Sequence, residues 1–150
     1  MMKSIHVLLV EDNEGDIFLT QEAFQDRKIL NQLSVVKNGK EAVDFIFKQG
    51  RYLHAEAPEL VLLDINLPIK NGHEVLQIIK SDERTQHIPV IMLTTSSSNR
   101  DIELAHKFEA NGYLIKPFKV TQLLETISNF EDYWLNLVIL TKPKPLTNMD

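Results

Sequence analysis

The chain has 150 residues, no cysteine, 43% apolar residues and a formal net charge of -5. That is the size of one domain with enough apolar content for a core. The lack of cysteine excludes disulfides and zinc-thiolate sites, the acidic balance argues against a dedicated nucleic-acid binder, and no apolar run approaches a membrane span.

Met1-Met2-Lys3-Ser4 leads straight into an apolar segment with no signal-peptide pattern, so a soluble cytoplasmic protein is expected, with no nucleic-acid or membrane partner. Ile5–Val10 predicts a first strand, and Asp16 to about Lys28 a helix with Ile17, Leu19, Ala23 and Phe24 at apolar positions. Leu33–Val36 predicts a second strand; the Asn38-Gly39 turn then opens a helix over Lys40–Gln49, with Gly50 as its stop. Residues 51–58 read as a polar loop, Leu60–Leu63 as the third strand, and Pro68 with Asn71-Gly72 as the loop before a helix over Glu74–Lys80. Pro89–Thr94 predicts the fourth strand, and Ser96 to Asn99 a loop and N-cap for a helix over Arg100–Glu109. Asn111-Gly112 turns into a fifth strand, Tyr113–Ile115, and Lys116-Pro117 precedes a long helix over roughly Val120–Val138.

Five strand–helix units in succession define an α/β fold: a doubly wound, flavodoxin-like, five-stranded parallel sheet with five helices. Right-handed crossovers and short loops favour the strand order 2-1-3-4-5. Strands one, three and four are then neighbours, and their C-terminal ends carry Glu11-Asp12, Asp64 and Thr94-Thr95; strand five ends in Lys116. Open α/β sheets keep their ligand sites at this edge.

Carboxylates gathered there repel one another: two unit charges about 4 Å apart cost roughly 4 kcal/mol at an effective dielectric near 20. Protons or a cation must relieve that. With no cysteine, and no histidine in these loops, the donors are all oxygen, which favours Mg²⁺. Mg²⁺ held by a few carboxylates commonly binds phosphate oxygens too. Lys116 and Thr94 offer the ammonium and hydroxyl a phosphoryl group requires, and Asp64 is the most central nucleophile. Each piece has a plainer reading when taken alone: the acidic pair as a helix cap, the Thr-Ser run as a loop, Lys-Pro as a strand exit. Together, each at a strand end, they mark a site.

These residues resemble the receiver domain of two-component response regulators. The matching motifs are Val10-Glu11-Asp12-Asn13, Leu63-Asp64-Ile65-Asn66-Leu67-Pro68 with Gly72, Leu93-Thr94-Thr95, and Tyr113-Leu114-Ile115-Lys116-Pro117, within about residues 4–130. The resemblance implies a signalling phosphoacceptor rather than an enzyme proper, which assists its own phosphorylation and dephosphorylation. Asp64 would take a phosphoryl group from a sensor histidine kinase; Glu11, Asp12 and Asp64 would hold Mg²⁺ with the backbone carbonyl of Asn66; Thr94 and Lys116 would bind the phosphoryl group; and Tyr113 would be the switch aromatic. It also implies a cis Lys116-Pro117 peptide bond. Thr95 departs from the small residue usual after the switch threonine, and it would narrow access to Asp64. A haloacid-dehalogenase-like phosphatase, the enzyme alternative, expects a second aspartate where Asn66 stands; a receiver that binds partners without phosphorylation is the other rival.

The receiver domain with its extended last helix is expected over residues 1–140, followed by a tail over residues 141–150 and no output module. Tyr133, Trp134, Leu137 and their neighbours are apolar nearly all round the helix. Either the chain end folds back over its own core, or the patch meets a partner or a second subunit. The ending, with Asn38-Gly39 and the Leu-Thr-Thr-Ser run, resembles small stand-alone receivers that serve bacterial phytochromes and related sensor kinases. That subgroup implies a phytochrome-like kinase partner and a homodimer through the C-terminal region.

Overall fold

Parallel strands covered by helices on both sides must be apolar on both faces. In the computed structural model, which describes residues 5–26, 31–95 and 98–127, the strands satisfy that requirement. The elements run β1 (Ile5–Val10), α1 (Glu14–Asp26), β2 (Asn31–Val36), α2 (Gly39–Ile46), a short 3₁₀ turn (Gly50–Tyr52), β3 (Leu60–Asp64), α3 (Gly72–Ser81), β4 (Val90–Thr94), α4 (Asn99–Lys107), β5 (Gly112–Ile115) and α5 (Val120–Ile127). The sheet is parallel, in the expected order β2-β1-β3-β4-β5.

Alternation along each strand splits the core in two. Val7, Leu9, Leu60, Leu62, Ile91 and Leu93 face one layer, where Ile17 and Phe24 of α1 and Leu123 and Leu124 of α5 cover them. Leu8, Val10, Val61, Leu63, Val90 and Met92 face the other, covered by Phe45 and Ile46 of α2 and by Val75, Leu76 and Ile79 of α3. Each fully buried Leu or Ile side chain contributes about 1.5–3 kcal/mol.

The register decides which side chains meet at the strand ends. Val10 pairs with Leu63, Asp64 with Leu93, and Thr94 with Ile115. Glu11, Asp64, Thr94 and Lys116 therefore end their strands side by side.

The helix ends differ from expectation in instructive ways. The first helix starts two residues early, at Glu14, because Asn13 caps it: its Oδ1 accepts from Asp16 N at 2.9 Å and its carbonyl from Ile17 N at 3.0 Å. The second stops at Ile46 and not at Gly50. Lys48 takes the left-handed conformation (φ 57°), its N–H donates to Phe45 O at 3.3 Å, and Gln49 N–H donates to Asp44 O at 2.8 Å. Glu109 (φ 64°) ends the fourth helix in the same way, with Ala110 N–H donating to Ala105 O at 2.9 Å. This is the usual glycine position of a helix C-terminus, filled here by charged residues. Of the long last helix expected over roughly 120–138, the first eight residues are α5 and the rest lies outside the described residues.

Gly39 shows how tightly α2 meets the loop after β3. A Cβ placed there would lie 1.9 Å from the Lys70 carbonyl oxygen, which is backbone and cannot swing aside. Gly39→Ala is expected to cost about 2–3 kcal/mol. The check is urea unfolding; a midpoint equal to that of the parent would show that the loop gives way freely.

Candidate functional site

The strand register delivers the side chains, and Lys116 organises them. Its Nζ lies 2.9 Å from Glu11 Oε1, 2.8 Å from Asp16 Oδ2 and 3.4 Å from Asp64 Oδ2. One ammonium thus faces three carboxylates contributed by β1's end, α1 and β3. Glu11 and Asp64 are buried, at 1% and 4% exposure, and Asp12 beside them is exposed. Backbone donors fix the acids: Asn13 N–H reaches Glu11 Oε2 at 3.3 Å, and Asn66 N–H reaches Asp64 Oδ1 at 3.2 Å.

The electrostatics follow from crowding. Burial, then hydrogen bonding to Asp64, pushes the Glu11 carboxyl up to about 7, against the pull of Lys116. Burial alone would lower the Lys116 ammonium, but hydrogen bonds to Asp16 and Glu11 and the charge of Asp64 outweigh it and hold the group above the usual lysine range. Carboxylate oxygens of Glu11, Asp12 and Asp64 lie within 4.8 Å of one another. An all-oxygen set with this excess of negative charge fits a hard divalent cation.

Thr94 is fully buried, and a hydrogen bond joins it to the half-buried Tyr113. Burial and the charge of Asp101 raise the Tyr113 phenol, while the hydrogen bond to Thr94 opposes that rise. Thr95 is exposed, and the Lys116-Pro117 peptide is cis. Tyr133, Trp134 and Leu137 lie outside the described residues.

Two features of the site escaped the sequence reading. Asp16 looks like an ordinary acid in a first helical turn, favoured by the helix dipole; only the fold brings it to a lysine 100 positions away. Ile69, on the loop after Asp64, is 75% exposed with φ 70°, and Lys70 N–H donates to Pro68 O at 2.8 Å across it. That is a γ-turn of the strained hand, centred on a β-branched residue.

A doubly wound sheet with an acidic pocket and a lysine at its C-terminal edge defines an α/β domain whose site suits a hard cation. The match to known proteins is more specific. The family model of the response regulator receiver domain matches residues 7–128. Response regulator Rcp1 of Synechocystis sp. is 37% identical over 134 residues, covering 89% of this chain and 91% of its own. The phosphorylated cyanobacterial phytochrome response regulator RcpA superposes with a TM-score of 0.75 at 38% identity, covering 89% of this chain and 95% of its own. The Mn²⁺-bound form of Rcp1 gives a TM-score of 0.74 at 36% identity, covering 93% and 99%. The chain belongs to the response regulator receiver domain family.

Removing the ammonium leaves two buried acids facing each other. Lys116→Gln is expected to cost about 2–4 kcal/mol in metal-free buffer, with part of the loss recovered in Lys116→Gln/Asp64→Asn; denaturant titration of the three proteins checks both. Ile69→Gly is expected to stabilise by about 1 kcal/mol through relief of the γ-turn. A lower unfolding midpoint would mean that the exposed side chain makes a contact outweighing the strain.

Proposed function

We propose that the chain is a single-domain response regulator that accepts a phosphoryl group from a sensor histidine kinase onto Asp64 and signals by a conformational switch to protein partners. The observation that carries this reading is the convergence of Asp64 with Glu11, Asp12 and Lys116 at one sheet edge. An Asp64 carboxylate oxygen attacks the phosphorus of a phosphohistidine; the P–O bond forms as the P–N bond breaks, and the imidazole leaves with a proton. Glu11, Asp12 and Asp64, with the backbone carbonyl of Asn66, would hold Mg²⁺. When bound, Mg²⁺ neutralises charge on the phosphoryl oxygens. Lys116, already placed within 3.4 Å of Asp64, pairs with another of those oxygens.

Thr94 links chemistry to signal. A hydroxyl has one proton to donate. Turning it toward a phosphoryl oxygen would rearrange the bond to Tyr113 and let the ring reorient, which would reshape the surface of α4, β5 and α5. The chain is thus a signalling phosphoacceptor that assists its own phosphorylation and dephosphorylation. Asn66, where a phosphatase of the haloacid-dehalogenase kind would need an aspartate, supports this over the enzyme reading.

The relatives named as phytochrome response regulators support a phytochrome-like kinase as partner. A homodimer through Tyr133, Trp134 and Leu137 and a cytoplasmic location complete the proposal. No helix among the described residues is long and apolar enough to cross a membrane.

Incubation with acetyl phosphate and Mg²⁺, followed by intact mass, should show one phosphate on the parent and none on Asp64→Asn. Chelation of the metal, or Glu11→Gln combined with Asp12→Asn, should slow uptake at least roughly 100-fold, as expected when several kcal/mol of charge stabilisation are lost. Absence of uptake by the parent, also from a cognate kinase, would remove the reading.

A further inference from the structure

Helix α4 is loosely built into the domain. Among the described residues Ala105 is its one buried side chain, and Ser98 caps it by accepting from Asp101 N at 3.2 Å. Yet its first turn carries a lateral tie. Asp101 Oδ1 lies 3.1 Å from Nε2 of His73, the second residue of α3. Both side chains are largely shielded, at 12% and 23% exposure. His73 Nδ1 is buried with no protein partner among the described residues, so the Nε2–H tautomer, donating to the carboxylate, is the one the surroundings satisfy.

The position of this tie is what gives it a role. His73 follows Gly72, whose N–H donates to Ile65 O at 2.8 Å and whose Cβ, if present, would lie 2.4 Å from the Asp64 carbonyl oxygen. The start of α3 is therefore rigidly joined to the phosphoacceptor strand. Asp101 is close enough to Tyr113 for its charge to act on the phenol, and Tyr113 is bonded to Thr94. The bond from His73 to Asp101 closes a ring: Asp64, α3, α4, Tyr113, Thr94 and back to Asp64 through the β3–β4 pairing.

We propose that the His73–Asp101 hydrogen bond is a latch that holds the start of α4 against α3 and biases the Thr94–Tyr113 switch toward its resting arrangement. His73 acts here as a positioning residue: it touches neither the phosphoryl group nor the metal. The physical basis is that a two-state element shifts only through interactions that differ between its states. A shielded, charge-assisted bond at the first turn of a helix with one buried side chain is large relative to the rest of that helix's attachment.

The proposal rests on the phosphoacceptor reading of Asp64, and two readouts separate the two ideas. Hydrogen exchange should show amides of residues 99–107 opening at least roughly fivefold faster in His73→Ala and in Asp101→Ala, with β1 and β3 unchanged. The double variant should be no faster than either single one, and His73→Gln, whose amide can still donate to Asp101, should restore most of the protection. Phosphate uptake from acetyl phosphate should rise roughly fivefold in the two alanine variants while Mg²⁺ affinity stays at the parent value. Parent-like exchange, or additive effects of the two substitutions, would overturn the latch, as would uptake unchanged in variants whose parent is phosphorylated. If the parent takes up no phosphate but exchange behaves as described, the latch stands and the phosphoacceptor reading falls.

Discussion

Everything at the working edge of this domain answers to one constraint: more negative charge is gathered there than the protein neutralises by itself. The parallel register brings Glu11 and Asp64 together below the surface, and Asp12 and Asp16 border them. At separations near 4 Å each like-charge contact costs a few kcal/mol at the effective dielectric of such sites. Lys116 offsets part of it through three contacts, and Glu11 yields for the rest, its carboxyl rising to about 7. A pocket in that condition has standing affinity for a hard cation, and a cation so held still has charge to share with phosphate. Tight packing of the loops holds the acids in place against their repulsion. Gly72 sits so close to the Asp64 carbonyl that any larger residue would push the strand end outward.

The sheet and the position of the site were legible in the sequence because both depend on short-range patterns. Strands buried on two faces leave unbroken apolar runs, and the residues just after those runs fall at the ligand edge by topology. What could not be read depends on long-range placement or on exceptions to local preference. Asp16 became a partner of Lys116 only when α1 folded over the edge. The ends of α2 and α4 were misplaced because Lys48 and Glu109 occupy left-handed positions where glycine is the usual signal. Gly50, the stop expected from the sequence, opens a 3₁₀ turn instead. The strain at Ile69 is invisible in sequence for the same reason, since a β-branched residue argues against the conformation it adopts.

The relation of Thr94 to Tyr113 also needed three dimensions. In the sequence Tyr113 stands out only through the resemblance to receivers, as the switch aromatic. In the structure the two already share a hydrogen bond, with Thr94 fully buried. In the proposed switch the Thr94 hydroxyl would exchange Tyr113 for a phosphoryl oxygen. Exchange would have an energetic advantage: the Thr94 hydroxyl would keep a partner in both states and would not be left buried and unsatisfied.

Such an exchange would call for a fold that is rigid on one side and loose on the other. On the α1–β1–β3 side the acids must not move, because their spacing sets cation affinity; this side is braced by Lys116 and by dense apolar packing. On the α4–β5 side the proposed displacement of one hydroxyl would have to change a surface, and strong anchoring there would absorb the signal. An α4 with one buried side chain and a lateral polar tie has the needed balance. A polar tie has a defined geometry and breaks over a short distance, whereas apolar packing loses its energy gradually as area is exposed. The proposed latch would therefore favour two discrete positions of the helix over a continuum, which is the property a phosphorylation-driven switch requires.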